Sequence, residues 1–375
     1  MKIQMVDTIT QYQKIQQEVD NAVLEVIRSG QFINGPVVKG FRDHLAEYLD
    51  VAHALSCANG TDALQIALMA LDLQAGDEVI TASFTYVATV EVIALLRLKP
   101  VFVEVDPDTF NLSIEAVEAA ITDKTRAILP VHLFGQAADM GPIMELANKH
   151  GIYVVEDTAQ AIGSDYTFPN GNKMKTGTIG HIGTTSFYPS KNLGAYGDGG
   201  AIFTRDAELA EVLWSICNHG SERRYYHDRV GVNSRLDAIQ AAILDVKLKH
   251  LDTYTKARRK AAALYDEMLG DIEGVEVPFR ADYAQHVFHQ YTLKIAGGRD
   301  KRDALKAKLD AAGIPNMIYY PVPLHLQKAY RGYGYKEGDF PISEQLSEQV
   351  LSLPMHSELD ETQQSYIVEH LKKFI

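Results

Sequence analysis

The sequence predicts an α/β protein, with a mostly parallel sheet covered by helices and a smaller α+β domain after it. Two observations carry this expectation. From residue 51, short runs rich in valine and isoleucine alternate with helical stretches, and the runs show little polar alternation, as strands buried on both faces should. After residue 275 that rhythm gives way to a mixed pattern. Strand and helix in alternation mean βαβ units, and such sheets place ligands at the carboxyl ends of their strands. At 375 residues the chain is long enough for a large domain, expected over 1–250, and a small one over 251–375.

Ile15, Val19, Val23, Leu24 and Ile27 recur at helical spacing, so residues 10–28 should form a helix. A loop with Gly30, Gly35 and Pro36 precedes a second helix ending near Leu49, and these N-terminal helices are expected near the small domain. Five strand candidates follow, VAHALSCA, EVITAS, PVFVEV, RAILPVHL and IYVVED. They alternate with helices over Thr61–Leu71, Val87–Leu96, Ile114–Ile121 and Met140–His150. Thr184–Tyr188 and Ala201–Thr204 add two more strand-like runs, and Leu236–Leu251 leads into a helix continuing to about Leu269. Beyond it, VFHQYTLKIA and IPNMIYYPV read as strands, and Lys301–Ala312 and the regions near Ser343 and Glu361 as helices.

Composition excludes several classes. The formal charge is −13, which argues against nucleic acid or an anionic membrane as the main partner. The most apolar stretch, Val87–Val105, carries Glu91, Arg97, Lys99 and Glu104, so no membrane span is expected. Cys57 and Cys217 lie far apart with no metal-ligand spacing around them, so neither a disulfide framework nor a metal site is expected. The first twenty residues lack an apolar signal core; a cytoplasmic location is expected.

The chemistry gathers around TTSFYPSKNLGAYGDGG at 184–200. Two strand-like runs joined through tight turns would fix Lys191 at a strand end, and the surrounding glycines would let the backbone approach a bound group. A surface lysine in a hairpin turn explains this stretch equally well. Three further loci fall at predicted strand ends. At Asn59-Gly60-Thr61, a strand turning into a helix offers free N–H groups and a hydroxyl to a phosphate, or simply a helix cap. Asp157, ending a buried strand, needs a cation or donors, and Gln160 follows it; a helix cap is the plainer alternative. Tyr86 would stack on a flat ring or join the core, and Ser186 offers a second hydroxyl. A lysine, a carboxylate, a stacking aromatic and a phosphate cradle together describe pyridoxal 5′-phosphate (PLP), with the lysine forming a Schiff base and the carboxylate keeping the ring nitrogen protonated.

The motifs ANGTDAL, FTYVAT, PVHLFGQ, EDTAQAIG, TSFYPSKNLGAYGDGG, GVNSRLDAIQAA and YYPVPLH resemble, in order, those of the DegT/StrS family of nucleotide-sugar aminotransferases. The resemblance implies a fold type I PLP-dependent transferase with a seven-stranded sheet, assembled as a homodimer with shared active sites. It makes Lys191 the Schiff-base lysine, pairs Asp157 with the pyridine nitrogen and Gln160 with the ring hydroxyl, and stacks Tyr86 on the ring. Gly60, Thr61 and Ser186 would hold the phosphate, joined by Asn233 from the partner subunit. Relatives with histidine in place of the lysine are dehydratases, and Lys191 points away from them.

Between His219 and Arg235, four arginines (Arg223, Arg224, Arg229, Arg235) stand against Glu222 and Asp228, a local positive excess that fits a carboxylate or diphosphate. A solvated loop is explanation enough for Arg223 and Arg224. Within the family the GVNSRLD form most resembles aminotransferases acting on UDP-linked 2-acetamido-3-keto-hexuronates, where Arg235 would meet the sugar carboxylate. By the same resemblance Tyr319, Tyr320 and His325 would line the sugar-nucleotide pocket. L-glutamate would be the amino donor in a ping-pong reaction serving surface polysaccharide, O-antigen among them, with Lys191 shuttling the proton between the amino-acid carbon and C4′ of the cofactor. The alternatives are a dTDP-linked 3-keto- or 4-keto-6-deoxyhexose as substrate, or a non-catalytic PLP-binding regulatory protein. A cofactor-free α/β hydrolase is set aside, since no G-x-S-x-G elbow is present.

Overall fold

The fold is taken from a computed structural model that describes residues 2–223 and 225–375, so Arg224 lies outside the described residues. Helices α1 (Thr8–Ser29) and α2 (Pro36–Leu49) lead into β1 (His53–Cys57), α3 (Gly60–Ala70), β2 (Glu78–Ala82), α4 (Ala88–Leu95) and β3 (Lys99–Val103). Then come α5 (Ile114–Ala120), β4 (Thr125–Leu129), α6 (Met140–His150) and β5 (Tyr153–Asp157). A small hairpin, β6 (Asp165–Thr167) and β7 (Lys173–Lys175), precedes β8 (Ile182–Ser186), β9 (Gly200–Thr204), α7 (Ala207–Cys217) and α8 (Ala238–Leu248). The remainder is α9 (Leu251–Leu269), β10 (Val275–Glu276), β11 (Ala284–Gln285), β12 (Tyr291–Ile295), α10 (Gly298–Ala311), α11 (Pro341–Gln349), β13 (Val350–Leu353) and α12 (Glu361–Phe374).

The main sheet runs β1-β9-β8-β5-β4-β2-β3, with β9 antiparallel to both neighbours and the other pairings parallel. Its strands are buried along most of their length because helices cover both faces. Along β9, Ile202 joins the core formed with α3 and α7, while Ala201 and Phe203 join the one formed with α2 and α8. With β1, β2, β5 and β8 all pointing the same way, four loops meet at one edge.

A second core of Ala261, Tyr265, Leu293, Leu305, Leu353 and Ile367 gathers α9, α10, α12 and the sheet β10-β12-β13. The change of core falls at α9, whose first residue Leu251 belongs to the large body and whose later turns belong to the small one. The N-terminal helices pack against α8 of the large body: Ile15 and Val19 meet Ile243 and Val246, and Phe41, Leu45 and Leu49 meet Leu244 and Leu248. Their link to the small body is limited to Ile3 and to polar ties such as Gln11 Nε2 donating to Ser357 Oγ at 3.1 Å. The expected strand IPNMIYYPV is instead a loop, joined to β13 at Met317 and Ser352 and containing a cis peptide between Tyr319 and Tyr320. No helix among the described residues is long and apolar enough to cross a membrane.

Candidate active site

At the carboxyl edge of the sheet lies a cavity of about 560 Å³, lined among others by Gly60, Thr61, Tyr86, Asp157, Gln160, Ser186, Lys191, Tyr319 and Tyr320. All but Tyr319 and Tyr320, expected on a strand and found in a loop, come from the loop or strand end where the sequence placed them.

Lys191 lies in the turn after β8, where its N–H donates to Tyr188 O at 2.8 Å. Neighbouring anchors hold the loop: Asn192 Nδ2 donates to Val287 O at 3.0 Å and Lys247 Nζ to Gly194 O at 2.5 Å. The side chain lies on the cavity wall, enclosed by protein but reachable from the cavity, so the surface-lysine alternative does not hold. Burial pulls its ammonium down to about 8, opposed by the charge of Asp157. An amine with that value is uncharged in roughly one molecule in ten at pH 7, enough to act as a nucleophile. The glycines nearby have a different use from the expected one. A Cβ on Gly200 would stand 2.4 Å from Asn59 O, so this residue lets the chain pack against itself and not against a ligand.

Asp157 ends β5 at 5% exposure. Its Oδ2 accepts from Thr89 Oγ1 at 3.0 Å and its Oδ1 from the Ala159 N–H at 3.1 Å. Burial raises its pKa despite those bonds and the nearby positive charge of Lys191, which leaves the carboxylate short of a cation. The strand end is held by Asp157 N–H to Pro130 O at 2.9 Å and His132 N–H to Asp157 O at 3.1 Å. His132 is fixed as well, since its Nδ1 accepts from the Ala138 N–H at 2.9 Å and its Nε2 therefore donates to buried Glu156 at 3.0 Å. Glu156 in turn accepts from three backbone N–H groups, those of Gly177, Ile179 and Gly180.

Gln160 is already engaged: Phe134 N–H donates to its Oε1 at 2.8 Å, and its Nε2 donates to Tyr320 OH at 3.1 Å, leaving one amide hydrogen for a ligand. Tyr86 is 55% exposed, with its ring centroid 6.2 Å from that of Tyr320. At the start of α3, Asn59 caps the helix by accepting from Asp62 N–H at 2.8 Å, so the cap alternative for this turn is true as well. The cap does not use the first-turn N–H groups of Gly60 and Thr61, and the positive helix end faces the cavity. A Cβ on Gly60 would come 2.5 Å from Cβ of Ser186. Gly60→Ala should therefore push the two walls of this cradle apart and weaken cofactor binding about tenfold or more, the scale of an overpacking strain. Titrating the apoprotein with PLP measures it.

Two expected residues, Arg235 and His325, are not at this cavity, and Asn233, expected from the partner subunit, does not line its own chain's cavity either. Asn233 is exposed, paired with Asn218 in a single bridge, and Arg235 is half-buried two residues on. His325 is fully buried, its Nδ1 2.6 Å from Ser83 Oγ and its Nε2 3.0 Å from Glu344. With both ring nitrogens taken by protein it serves as a strut, and the substrate role expected of it is corrected here. Of the arginine cluster, Arg229 pairs with Glu222 at 3.3 Å and Arg223 stacks over Tyr226. Sequence reasoning missed Phe134, Asp198, His289 and Gln290, which also line the cavity. Phe134 and Asp198 lie inside the motifs PVHLFGQ and TSFYPSKNLGAYGDGG without a role assigned to them there, while His289 and Gln290 sit in VFHQYTLKIA, which reads as an ordinary strand.

The chain is 49% identical, over 100% of its length and 99% of the relative's, to a pleiotropic regulatory protein of Geobacillus stearothermophilus. It is 46% identical to the UDP-2-acetamido-2-deoxy-3-oxo-D-glucuronate aminotransferase of Pseudomonas aeruginosa, covering 96% of each chain. It is 40% identical to a dTDP-3-amino-3,4,6-trideoxy-alpha-D-glucose transaminase of Streptomyces venezuelae, over 100% of this chain and 96% of that one. Among solved structures, an aminotransferase from Brucella abortus superposes with a TM-score of 0.93 at 44% identity, covering 99% of both chains. The Bacillus subtilis protein NtdA, solved with bound cofactor PMP, gives 0.89 at 30% identity over 99% of this chain and 83% of that one. Residues 13–372 match the DegT/DnrJ/EryC1/StrS aminotransferase family, and the chain belongs to that family.

Proposed function

We propose that the chain is a PLP-dependent aminotransferase that moves an amino group from L-glutamate to the 3-ketone of a UDP-linked 2-acetamido-hexuronate, for surface polysaccharide. The observation that carries the reading is the pairing of a half-buried, easily deprotonated Lys191 with a buried, cation-deficient Asp157 on one cavity wall. These residues fit the cofactor. Lys191 would hold its aldehyde carbon, Asp157 its protonated ring nitrogen, Tyr86 its face, Gln160 its ring hydroxyl, and Gly60, Thr61 and Ser186 its phosphate. Bound there, PLP supplies an electron sink for the bond broken at the amino-acid carbon.

The chain's own residues do the rest. Displaced by the incoming amine, Lys191 Nζ is a base whose burial keeps it ready to lose its proton. It takes the proton from the donor's α-carbon in one half-reaction and delivers one to the sugar carbon in the other. Asp157, immobilised through His132 and Glu156, keeps the ring nitrogen charged, and Tyr320, whose phenol burial holds well above its usual range, stays a neutral hydrogen-bonding group.

For the uronate the support is the similarity to the Pseudomonas enzyme together with Arg235. A homodimer with shared sites is part of the reading. Asn233 and Arg235 lie outside their own chain's cavity, and nearby Phe32 and Ile33, with Leu24 and Ile27 of α1, leave apolar surface exposed that a second copy would cover. The two cysteines are free and buried, which suits a reducing cytoplasm. Arg235→Ala should lower kcat/KM for the uronate roughly 10²-fold or more, the cost of losing a charged hydrogen-bond partner, and leave a neutral dTDP-keto-deoxyhexose within about threefold. Equal losses on both substrates would remove the uronate assignment. The Geobacillus relative's name favours a regulatory reading; conversion of the visible cofactor band on adding glutamate decides against it, and an unchanged band decides for it.

A further inference from the structure

Thr89, in the first turn of α4, is fully buried and does not line the cavity, yet it joins two residues that do. Its Oγ1 donates to Asp157 Oδ2 at 3.0 Å, and its N–H donates to Tyr86 O at 3.4 Å. The helix that carries it is fixed on two sides. Val92 and Ile93 enter the main core, while Val90 packs with Phe102, Leu324 and Tyr330. Asp157 is equally fixed at the end of β5, its N–H bonded to Pro130 O at 2.9 Å. Hydroxyl and carboxylate therefore meet from two rigid elements.

A hydroxyl facing a carboxylate donates to it, and a donor favours the charged form. Among the described residues the Asp157 carboxylate takes two hydrogen bonds, one on each oxygen, from Thr89 and from the Ala159 N–H. Each oxygen keeps room for a second donor, so Thr89 does not compete with a ring N–H. Burial works against the charge. Lys191 from the turn after β8, His132 from the segment after β4 and Tyr320 from the loop before α11 act on the same carboxylate, and a change at position 89 leaves all three in place. Thr89 is thus the side-chain donor that a single substitution can remove from Asp157 without touching the cavity wall.

We infer that Thr89 is a positioning residue for the cofactor: one buried hydroxyl holds Asp157 as an aimed carboxylate and ties it to the Tyr86 turn, so that ring nitrogen and ring face are gripped in register. This rests on the aminotransferase reading above. It deepens that reading with a residue that acts through Asp157 from outside the cavity.

The test compares wild type with Thr89→Val, which keeps the shape and removes the hydroxyl, and Thr89→Ser, which keeps the hydroxyl. Thr85→Val is the control, since the Thr85 hydroxyl is buried without a partner among the described residues. The first readout is the melting temperature of the apoproteins against pH and needs no cofactor. Without its donor the folded Asp157 carboxyl holds its proton to higher pH, so the deficit of Thr89→Val should be smallest near about pH 4 and widen toward about pH 8. The second readout is titration with PLP followed by single turnover. Thr89→Val should weaken PLP about tenfold and slow both half-reactions alike by about tenfold or more, with Thr89→Ser restoring most of the loss and Thr85→Val within about twofold of wild type. A deficit constant across pH is a packing effect and overturns the inference, as does a serine variant no better than valine or a Thr85→Val variant equally damaged. A widening deficit in a protein whose wild type takes up no PLP would sink the aminotransferase reading and leave the hold of Thr89 on Asp157 standing.

Discussion

Lys191→Ala should lower kcat by about 10⁴-fold or more, the scale of loss when a covalent catalyst is deprived of its reacting group. Nothing else on the cavity wall offers a substitute amine among the described residues, because Lys247, the other buried lysine nearby, is bound to Gly194 O on the far side of the loop. Reconstituted variant and wild type are compared by steady-state turnover and by the absorbance of the lysine-bound cofactor. Activity above about one part in a hundred would remove Lys191 from its role. The same residue should also mark stability. Its folded value of about 8 is below the ordinary 10.5, so the folded apoprotein binds the proton less tightly than the unfolded chain does. Stability is therefore lowest below about pH 8 and recovers as pH rises toward 10.5. Lys191→Met should make that slope shallower, leaving the part due to Lys247, and melt higher than the wild-type apoprotein at pH 7, a gain in stability for a loss of function.

Asp157→Asn should lower kcat by about 10²–10³-fold, the usual cost of removing a preorganised charge from a reacting centre. Asparagine fits the same space and can accept from Thr89 Oγ1 and the Ala159 N–H, so the loss reads the missing charge and not a missing contact. The sign of the stability effect is again opposite to that of activity. Burial raises the carboxyl above its ordinary 3.8, so the folded apoprotein holds the proton more tightly than the unfolded one. Its stability falls as pH rises from about 3.8 through the folded value, and the asparagine variant should lack that fall. Melting temperature against pH, for apoprotein of each kind, checks it. An asparagine variant with wild-type turnover would remove Asp157 from beneath the ring.

The large body was legible because its strands are apolar on both faces and its helices carry strong caps and periodicity. The expected strand EVITAS is β2 and the expected helix Met140–His150 is α6 without a shift. Lys191, Asp157, Gly60 and Tyr86 were legible because strand ends are where a parallel sheet concentrates its chemistry. IPNMIYYPV failed because two tyrosines, an isoleucine and a valine carry strand propensity wherever they fall, while here they wall a cavity. Tyr319 and Tyr320 spend their apolar surface on the site and not on a sheet. Leu24 and Ile27 failed in a different way: the period was right, yet α1 buries only the stripe through Ile15, Val19 and Val26 within its own chain. His325 and His289 show the limit most clearly. Both are histidines in apolar surroundings, and sequence cannot tell that one has both nitrogens satisfied by protein while the other keeps Nδ1 without a partner among the described residues.

Asn192 binds the reactive turn to Val287, and Arg258 binds that same segment to Met355 near α12. The neighbour of the reactive lysine is thus bolted to the far half of the molecule before any substrate arrives. A clamshell that swings shut around its guest would have to break these bolts. The architecture instead describes a socket finished in advance, whose capture of a bulky sugar nucleotide spends little conformational entropy and whose release requires no hinge to reopen.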